Sequence, residues 1–553
     1  MSDSRLRSIQ QVQGTGLYSP LAGQTVTTRG VVTGSTRKGF FLQDPDPEDT
    51  AASSAIFVYS PRQQPPTGSF AEVTGEVMDF RAEENDRPTT QIKADSVRQV
   101  EGDSPDIEPV WLTADLLDRS QAELASLLNS LEGRLVGIRA GATFVSPSNA
   151  FGDYVLAPED LAAVRTQPGG VLIDPSQPQR WLPNIRIRNY SRASKVDVGS
   201  KLNKPVVGPL NFRAASYQIA AAGPLDIEPA QIPETVTQLA PKAGHLTVLT
   251  LNGFNLDPQI ENPQRVESQR DIDDDIGDGR FAMLATAIVH QALCPDVIAL
   301  QEIQDNDGAE VTGQTNADRT YSALIKAVQS AGGPEYHWAD IPPKADADGG
   351  QPGGNIRNGF LYRADRVQLL PDSLKRIGEN HPAFEGSRKP IVARFQPTGS
   401  NYELAVVNVH LASKRHQHGL FAPDQPGFDP RLQTRVQQVS ILRSVLRNLS
   451  GHGIDYYVTG DFNDFEFSET LATLNGDDNV NLVDRLPLED RYDYNHRGIS
   501  QALMHGVVSK SHLARRRVEY EILHGNALLG IQPGGRSHKG SDHAYVIARL
   551  EIA

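Results

Sequence analysis

The sequence predicts an α+β protein of several domains, in which two β-rich domains precede a C-terminal half of layered α/β type. At 553 residues the chain is too long for one hydrophobic core. Residues 1–240 contain short apolar runs separated by turn residues, a spacing typical of small all-β domains. From residue 241 onward, apolar strands alternate with amphipathic helical segments, which favours packed layers of sheet and helix.

The first predicted domain spans residues 1–105 and reads as a small barrel or sandwich. Its strand-like runs are Val26–Gly34, Gly39–Asp44, Ala55–Tyr59 and Ala71–Val77. Their order resembles the OB-fold-like domain that precedes many bacterial extracellular nucleases. Such barrels bind nucleic acid through aromatic and basic side chains, so Phe40, Phe41, Arg37 and Lys38 are candidates for that role. The alternative, which we favour, is that the two phenylalanines fill the barrel.

The second predicted domain spans residues 106–240 and is also β-rich and OB-like. A short helical run covers 122–128, and strand-like runs follow at Lys195–Gly199 and Val206–Phe212. Residues 220–233 are rich in alanine and proline and read as a linker. Neither of these two domains contains a recognisable set of catalytic residues.

The third predicted domain spans residues 241–553. Its predicted helices cover 280–293, 318–330 and 431–449, and the last has an apolar face with a period of 3.6 residues. The predicted strands are Leu246–Leu251, Val297–Leu300, Phe360–Tyr362, Ile391–Phe395, Leu404–Val409, Tyr456–Thr459, Gly506–Ser509 and Tyr545–Leu550.

Polar residues follow or precede five of these strands, at positions where packing of a hydrophobic core does not explain them. They are Asn252, Glu302, His410, Asp461, Asn463, Asp542 and His543. Carboxylates and carboxamides suit a hard divalent cation, and imidazoles suit proton transfer near neutral pH. If the strand ends converge, the set is complete for hydrolysis of a phosphodiester.

The same residues lie in motifs that resemble the endonuclease/exonuclease/phosphatase superfamily, which includes deoxyribonuclease I. The motifs are Leu-Thr-Leu-Asn252, Leu-Gln-Glu302-Ile, Asn-Val-His410-Leu, Gly-Asp461-Phe-Asn463 and Ser541-Asp542-His543. Together with the OB-like start, they are most similar to the secreted bacterial nucleases. The resemblance implies a C-terminal four-layer α/β sandwich, in which helices flank two packed mixed sheets.

The resemblance also implies roles for these residues around Mg²⁺ or Mn²⁺. Glu302, with Asn252 and Asp542, would hold the metal. His543 would act as the general base or stabilise the charged transition state, and His410 would donate to the leaving oxygen or the phosphate. Asp461 and Asp542 would hold the histidines or the water, although Asp461 is itself a candidate for the base. Asn463 would orient the nucleophile or the phosphate.

Two arginines are candidates for binding the substrate phosphate. Arg388 precedes a strand and resembles the phosphate-binding arginine of the superfamily, and Arg357 precedes another strand. Lys414, Arg415 and Lys539 add positive charge near the motifs, with ordinary surface positions as the alternative.

One position departs from the superfamily pattern. Related nucleases carry an aspartate that orients the catalytic histidine on the strand that here reads Ala502-Leu503-Met504-His505, and Met504 stands at the place of that acid. The candidates to replace it are Asp542, His505 or a displaced acid such as Glu519. A lost orienting contact would weaken catalysis more than folding.

Composition limits the remaining possibilities. The net charge of −15 is unlike that of a protein that coats nucleic acid, although an enzyme needs only a local positive site. The single cysteine, Cys294, excludes an internal disulfide and a cysteine-based zinc site. The acidic stretch Asp271–Asp278 resembles a calcium loop without its spaced glutamate, so a structural Ca²⁺ site and a solvated loop are both considered. No membrane span, signal peptide or protein partner is predicted; the family resemblance suggests a secreted or cell-surface location, and a cytoplasmic one is the alternative.

The sequence thus favours a metal-dependent phosphodiesterase that hydrolyses nucleic acid, with DNA as the first candidate substrate. A second hypothesis keeps the site and changes the substrate to a phosphoinositide, a phospholipid or another small phosphoester. A third hypothesis, prompted by Met504, is a DNA-binding protein with weakened catalysis.

Overall fold

The computed structural model describes residues 6–48, 51–82, 86–101, 105–187, 193–414, 420–421, 428–534 and 539–552. In chain order these residues form a closed barrel, an open sheet and a sandwich of two sheets. No helix within these ranges is long and apolar enough to cross a membrane.

The N-terminal residues form a closed five-stranded barrel with the strand order β1-β2-β3-β5-β4. Its elements are α1 (Ile9–Gln13), β1 (Thr25–Ser35), β2 (Gly39–Gln43), β3 (Ala55–Tyr59), β4 (Phe70–Phe80) and β5 (Thr89–Gln99). The barrel closes through antiparallel pairing of β1 with β4 and parallel pairing of β3 with β5. Phe40 and Phe41 are both buried, so neither can stack on a nucleic-acid base. Phe40 belongs to the core of the barrel, whereas Phe41 packs against Phe57.

The second segment departs from the predicted OB-like barrel, because its strands form an open nine-stranded sheet of order β15-β12-β8-β9-β11-β14-β13-β7-β6. Its elements are β6 (Val110–Trp111), α2 (Ala114–Leu117), α3 (Gln121–Ser130), β7 (Leu135–Ile138), β8 (Thr143–Phe144), β9 (Asp153–Ala157), β10 (Val171–Leu172), β11 (Asn184–Ile187), β12 (Lys201–Leu202), β13 (Val206–Arg213), β14 (Ser216–Ala221) and β15 (Ile227–Glu228). We call this segment the middle domain.

The strand predicted at Lys195–Gly199 is wrong, because these residues form no strand in the structure. Val196 and Val198 are buried, and the Val198 amide donates to the carbonyl of Leu528 in the C-terminal domain at 2.9 Å. The alternating apolar pattern therefore reflects burial between two domains, which sequence periodicity does not distinguish from a strand.

The C-terminal domain contains two mixed sheets with orders β18-β19-β17-β16-β30-β29 and β20-β22-β23-β24-β28-β25, and β21 pairs with β22. Its strands are β16 (His245–Leu256), β17 (Val297–Ile303), β18 (His337–Asp340), β19 (Arg357–Tyr362), β20 (Val367–Leu369), β21 (Lys375–Arg376), β22 (Ile391–Pro397), β23 (Leu404–His410), β24 (Asp455–Asp461), β25 (Asn479–Asn481), β26 (Tyr494–His496), β27 (Ile499–Gln501), β28 (Met504–Ser509), β29 (Val518–Leu523) and β30 (Tyr545–Glu551). Its helices are α4 (Arg280–Thr286), α5 (Asp318–Ser330), α6 (Leu432–Gly451), α7 (Glu469–Asn475), α8 (Lys510–Arg515) and α9 (Gly525–Leu528).

The two sheets pack face to face, and helices cover both outer faces. Residues such as Val248, Phe360 and Val406 form the core between the sheets. Side chains of α4 and α5 pack on the outer face of the first sheet, and those of α6 and α7 on the second. Each layer buries the apolar side of the next, so the C-terminal domain is a four-layer α/β arrangement, as the sequence predicted.

The middle domain and the C-terminal domain are joined by a small sheet. Strand β10 of the middle domain pairs in parallel with β27, which forms a hairpin with β26. A buried apolar cluster also crosses this boundary, and it includes Leu172 and Val198 with Tyr492 and Met504. Met504 therefore serves as an apolar side chain of an interdomain core.

Glu132 gives a test of how the barrel and the middle domain are stabilised. Burial outweighs the attraction of Arg87 and raises the pKa of this carboxyl from 4.5 to about 7. Because the folded state binds this proton more tightly, stability is fully present below pH 4.5 and falls by up to about 3 kcal/mol as pH rises through 7. We expect Glu132→Gln to melt at a higher temperature than the parent at pH 8 and at a similar one at pH 4.5. An equal difference between the two proteins at both pH values would contradict this account.

Candidate active site

Four of the predicted site residues lie near the carboxyl ends of parallel neighbours in the two sheets. Asn252 and Glu302 are on β16 and β17, which pair in parallel, and His410 and Asp461 end β23 and β24, which also pair in parallel. The carboxyl ends of parallel strands meet at one edge of a sheet, which is the usual place for a site in such folds. Packing of the two sheets then brings the two edges together.

Glu302 is held by an irregular backbone. Its φ of 53° lies in the left-handed region that non-glycine residues seldom adopt, and the pairing of β17 with β19 is interrupted between Leu300 and Ile303. The Asn252 side-chain amide donates to Glu302 Oε1 at 3.2 Å and thereby orients the carboxylate. Strain of this kind persists where surrounding contacts fix it, and it is concentrated at functional sites.

Glu302, His410 and Asp461 offer ligand atoms that all lie within 4.8 Å of one another. His410 Nε2 is 3.7 Å from Glu302 Oε1 and 3.7 Å from Asp461 Oδ2. Burial, followed by repulsion from Asp542, raises the pKa of Glu302, and burial also raises the pKa of Asp461. Neighbouring buried carboxylates whose ionised forms are destabilised fit a divalent cation, since its charge would offset theirs.

A glycine and an asparagine shape the backbone around Asp461. Gly460 has a φ of 138°, and a Cβ atom there would lie 2.0 Å from the carbonyl oxygen of Val409, so only glycine fits. Asn463 has a φ of 52°, donates its backbone amide to Asp461 Oδ1 at 2.8 Å and its side-chain amide to the carbonyl of Leu411 at 3.2 Å. The turn fixes the Asp461 carboxylate towards the two histidines.

His543 is held by an aspartate that the sequence reasoning missed. Its Nδ1 lies 2.7 Å from Asp493 Oδ2, its Nε2 lies 3.6 Å from Asp461 Oδ2, and the Tyr494 ring stacks on it with centroids 4.7 Å apart. With Asp493 accepting at Nδ1, the nitrogen that faces Asp461 is Nε2. The pair has the form of a histidine oriented by a buried acid.

Asp493 occupies the place that Met504 leaves. Its Oδ1 accepts the backbone amides of Leu503 at 2.6 Å and Met504 at 3.0 Å, so the carboxylate lies beside the start of β28. It reaches this place from the segment just before the β26–β27 hairpin. A displaced acid therefore takes the place of the missing one, as one of the three alternatives predicted, but it is Asp493 and not Glu519, which pairs with Arg549. His505 bonds instead to the carbonyl of Asp464.

The two histidines differ in charge at neutral pH. Burial acts to lower the pKa of His543, but the carboxylates of Asp542, Asp493 and Asp461 outweigh it and raise the pKa to about 10. Burial, with repulsion from Arg388 and His543, holds the pKa of His410 well below 6.5. His410 Nδ1 is buried without a hydrogen-bond partner among the described residues. The described side chains thus present one imidazolium and one neutral imidazole to the same space.

The structure separates the two candidate phosphate arginines. Arg388 lines the cleft above the site, and its Nη2 donates to the carbonyl of Leu411 at 3.1 Å. Arg357 lies outside the cleft lining, is 3% exposed and donates to the carbonyls of Asn355 and Thr315 and to Asp340. Its guanidinium is used for packing, so we assign Arg357 a structural role in place of the predicted phosphate contact.

The other predicted cations are placed differently from one another. Lys414 lines the cleft, pairs with Asp464 at 2.7 Å and lies 4.1 Å from the centre of the Phe465 ring. Lys539 donates to the carbonyl of Asn526 at 3.0 Å, and burial lowers its pKa to about 8. Arg415 lies outside the described residues.

A second acidic cluster lies apart from the site. Asp257, Asp273 and Asp275 offer ligand atoms within 4.8 Å of one another, and Arg280 pairs with Asp275. Burial first, and then repulsion from Glu261, raises the pKa of Asp257 to about 9. The structural Ca²⁺ considered for Asp271–Asp278 stays a prediction.

The site opens into a cleft of about 810 Å³ between the C-terminal domain and the middle domain. Glu302, Arg388, His410, Asp461 and His543 lie on one side of the cleft. Residues of the middle domain, including Trp181, Asn184 and Phe212, lie on the other.

Two family models match parts of this chain. Residues 276–543 match the Endonuclease/Exonuclease/phosphatase family. Residues 83–228 match a family described as Domain of unknown function (DUF8508). Among curated proteins no match was found.

Solved structures that match about half of this chain include the following three. An endonuclease/exonuclease/phosphatase family protein from Bacteroides thetaiotaomicron is 15% identical over 55% of this chain and 97% of its own, with a TM-score of 0.36. Humanized TDP2 of D. rerio is 16% identical over 56% and 99%, with a TM-score of 0.36. A mannosyl-6-phosphatase from Bacteroides thetaiotaomicron is 16% identical over 55% and 99%, also with a TM-score of 0.36.

Proposed function

Since residues 276–543 make this chain a member of the endonuclease/exonuclease/phosphatase family, whose enzymes hydrolyse phosphoesters, we propose that it is a divalent-metal-dependent phosphodiesterase that cleaves nucleic acid, with DNA as the first candidate substrate. The observation that carries the proposal is the convergence of Glu302, His410, Asp461 and His543 at the base of one cleft. Hydrolysis needs an anion-stabilising group, a proton acceptor and a proton donor, and these side chains supply all three within a few ångströms.

The residues divide into those that bind and those that transfer protons. Arg388 would bind the phosphate through its planar guanidinium. Asp461 and Asn463 would hold the attacking water in line with the phosphorus atom. Asp461 Oδ2 would accept the proton that the water loses. The His543 imidazolium, whose Nε2 is 3.6 Å from that oxygen, would stabilise the charged transition state, and His410 Nε2 lies 3.7 Å from the same oxygen.

The described side chains fit Mg²⁺ or Mn²⁺. Glu302, Asn252 and Asp542 would hold the ion, because they combine oxygen donors with two neighbouring negative charges. When bound, the ion supplies Lewis-acid stabilisation of the phosphoryl oxygen and of the leaving alkoxide. Either metal suits this donor set, and the same assay can compare them.

The proposal is tested by assaying the purified full chain on plasmid DNA, RNA and bis-p-nitrophenyl phosphate with Mg²⁺ or Mn²⁺. We expect cleavage that stops when EDTA is added and that falls by about 10²–10⁴-fold in His543→Ala, the range for loss of a general acid–base group. Binding of DNA without turnover of any substrate would instead support the hypothesis of weakened catalysis. The main reason for that hypothesis was the missing acid at position 504, and Asp493 supplies an acid to His543 instead.

Arg388 and Arg357 form a matched pair for testing the phosphate contact. We expect Arg388→Gln to raise the KM for DNA and to lower kcat, because a charge that faces the phosphate is lost. Arg357→Gln should lower the melting temperature with little change in KM, because Arg357 pairs with Asp340 at 3.4 Å inside the fold. Equal KM changes in the two variants would show that Arg388 has no special role.

The alternative substrate is a small phosphoester such as a phosphoinositide or a phospholipid head group. Its hydrolysis would use the same catalytic side chains, and only the part of the substrate bound by the rest of the cleft would differ. We also propose that the N-terminal barrel is an OB fold, for which its strand order β1-β2-β3-β5-β4 is the support, and that it assists binding of nucleic acid. Phosphatidylinositol phosphates included in the assay would separate the two substrate classes. The extracellular or cytoplasmic setting stays a prediction from resemblance.

A further inference from the structure

The middle domain forms the opposite wall of the catalytic cleft. The single cavity of about 810 Å³ is lined both by the catalytic side chains and by Val155, residues 178–182, Asn184, Phe212 and Ser216. A cavity of this size encloses a molecule of drug size or a short piece of polymer. A substrate phosphate that reaches Arg388 and His543 therefore has the middle domain on its other side.

This wall is held in place by contacts with the β26–β27 hairpin, which directly follows Asp493 in the chain. The Asn495 side-chain amide donates to the carbonyl of Val145 at 2.8 Å, and Arg497 donates to the carbonyl of Ala214 at 3.2 Å. Ile499 is buried in the core of the middle domain, and Trp181 Nε1 donates to Ser216 Oγ at 3.2 Å. The wall and the hairpin thus form one packed unit, so the fold fixes the width of the cleft.

The lining combines flat apolar rings with positive charge. Phe254, Phe465, Phe212 and Tyr494 line the cleft as partly exposed aromatic residues. Arg497 also lines it, and its guanidinium is held there by hydrogen bonds to the carbonyl oxygens of Ala214 and Ala215. The chain as a whole is acidic, with a net charge of −15. Aromatic rings and cations along one groove are the features that bind unpaired bases and their phosphates.

Resting on the proposed function, we infer that the cleft accepts a single strand of nucleic acid, which passes between the C-terminal domain and the middle domain. The bases of a single strand are free to stack on the lining rings, whereas those of a duplex are already paired and stacked. A duplex also brings a second strand that a cleft of this volume does not accommodate beside the first. Residues of the middle domain therefore select the substrate, and duplex DNA is cleaved only where it opens.

The test compares three substrates with the full chain under the same metal conditions. They are a labelled oligonucleotide without self-complementarity, the same oligonucleotide annealed to its complement, and bis-p-nitrophenyl phosphate. Each base-pair step that must open reduces the rate by about tenfold, so we expect the single strand to be cleaved at least that much faster than the duplex. The small diester reports the chemistry independently of the wall.

The outcomes separate this inference from the proposed function. If all three substrates are cleaved and the duplex is cut as fast as the single strand, the inference is wrong and the proposed function stands. If only the small diester is cleaved, the inference is also wrong, and a small phosphoester becomes the better substrate class. If none is cleaved, the proposed function fails, and the inference with it.

A charge variant tests the wall itself. Arg497→Gln keeps a donor for the carbonyl of Ala214 and removes one positive charge, so the slope of log(1/KM) for the single strand against log[salt] should become shallower by about 0.7. The control is Arg515→Gln, which removes a charge that is 55% exposed and pairs with Asp455 outside the cleft lining. The control should leave the slope unchanged. An unchanged slope in Arg497→Gln, or an equal change in both variants, would overturn the assignment of Arg497 to the binding wall.

Discussion

Asp493→Asn is expected to lower kcat by about 10²–10⁴-fold while KM changes little, since the substitution disables His543 and leaves the cleft intact. The asparagine oxygen can still accept the backbone amides of Leu503 and Met504, so the hairpin keeps its position. The asparagine NH₂ group would face His543 Nδ1 and donate to it. His543 then loses the carboxylate that favours its charged form, and the ring no longer presents an imidazolium to the site.

The matched control for this prediction is Asp490→Asn. Asp490 lies three residues before Asp493, is 43% exposed, and has His524 Nε2 at 3.8 Å as its ionic neighbour. The control substitution removes the same charge from the same segment, at a residue that has no contact with His543. A fall in kcat of less than tenfold in Asp493→Asn, or equal falls in both variants, would show that Asp493 does not position the histidine. Kinetics on bis-p-nitrophenyl phosphate are sufficient for the measurement.

The convergence of the catalytic side chains was predictable from the sequence because it depends on local patterns. Each strand is a short apolar run, and the polar residue that ends it is visible as a break in that run. The observed strands β23 and β24 extend by one or two residues past the predicted ends, to His410 and Asp461 themselves. Parallel pairing brings two of these ends together within each sheet, and the packing of one sheet on the other, which local patterns do not show, joins the two pairs. The four-layer packing was implied by the family resemblance, because the alternation of strands and amphipathic helices by itself predicts only layers of sheet and helix.

Asp493 was not predictable in this way, because its role depends on contact between two domains. The hairpin that follows it is held by β10, more than three hundred residues earlier in the chain. Nothing in the local sequence indicates that pairing. One signal was present: an apolar Met504 where an acid is expected implies that another acid approaches the same backbone. Tyr492-Asp493-Tyr494 places a lone acid between two aromatic residues, a pattern that indicates a partly buried carboxylate.

Arg357 and Arg388 show a second limit of sequence reasoning. Both arginines lie close to the start of a strand, and both are buried. Only the tertiary packing distinguishes them. Arg357 pairs with Asp340 and donates to the carbonyl of Thr315, whereas Arg388 lines the cleft. The identity and local spacing of a residue indicate what it can bind. Its neighbours in space determine whether it is available to bind a substrate.

Glu302→Gln is expected to remove metal-dependent turnover almost entirely, with a fall in kcat of about 10³-fold, because metal stabilisation of the transition state is worth several kcal/mol. Glutamine keeps the oxygen that accepts from the Asn252 amide at 3.2 Å, so the change removes charge and little else. Affinity for Mn²⁺, measured by titration calorimetry, should fall together with kcat. Asp273→Asn removes a charge from the separate acidic cluster and tests whether that cluster is the source of the metal dependence. If Asp273→Asn abolishes turnover while Glu302→Gln leaves it intact, the metal belongs to the other cluster, and the metal site proposed for Glu302, Asn252 and Asp542 is wrong.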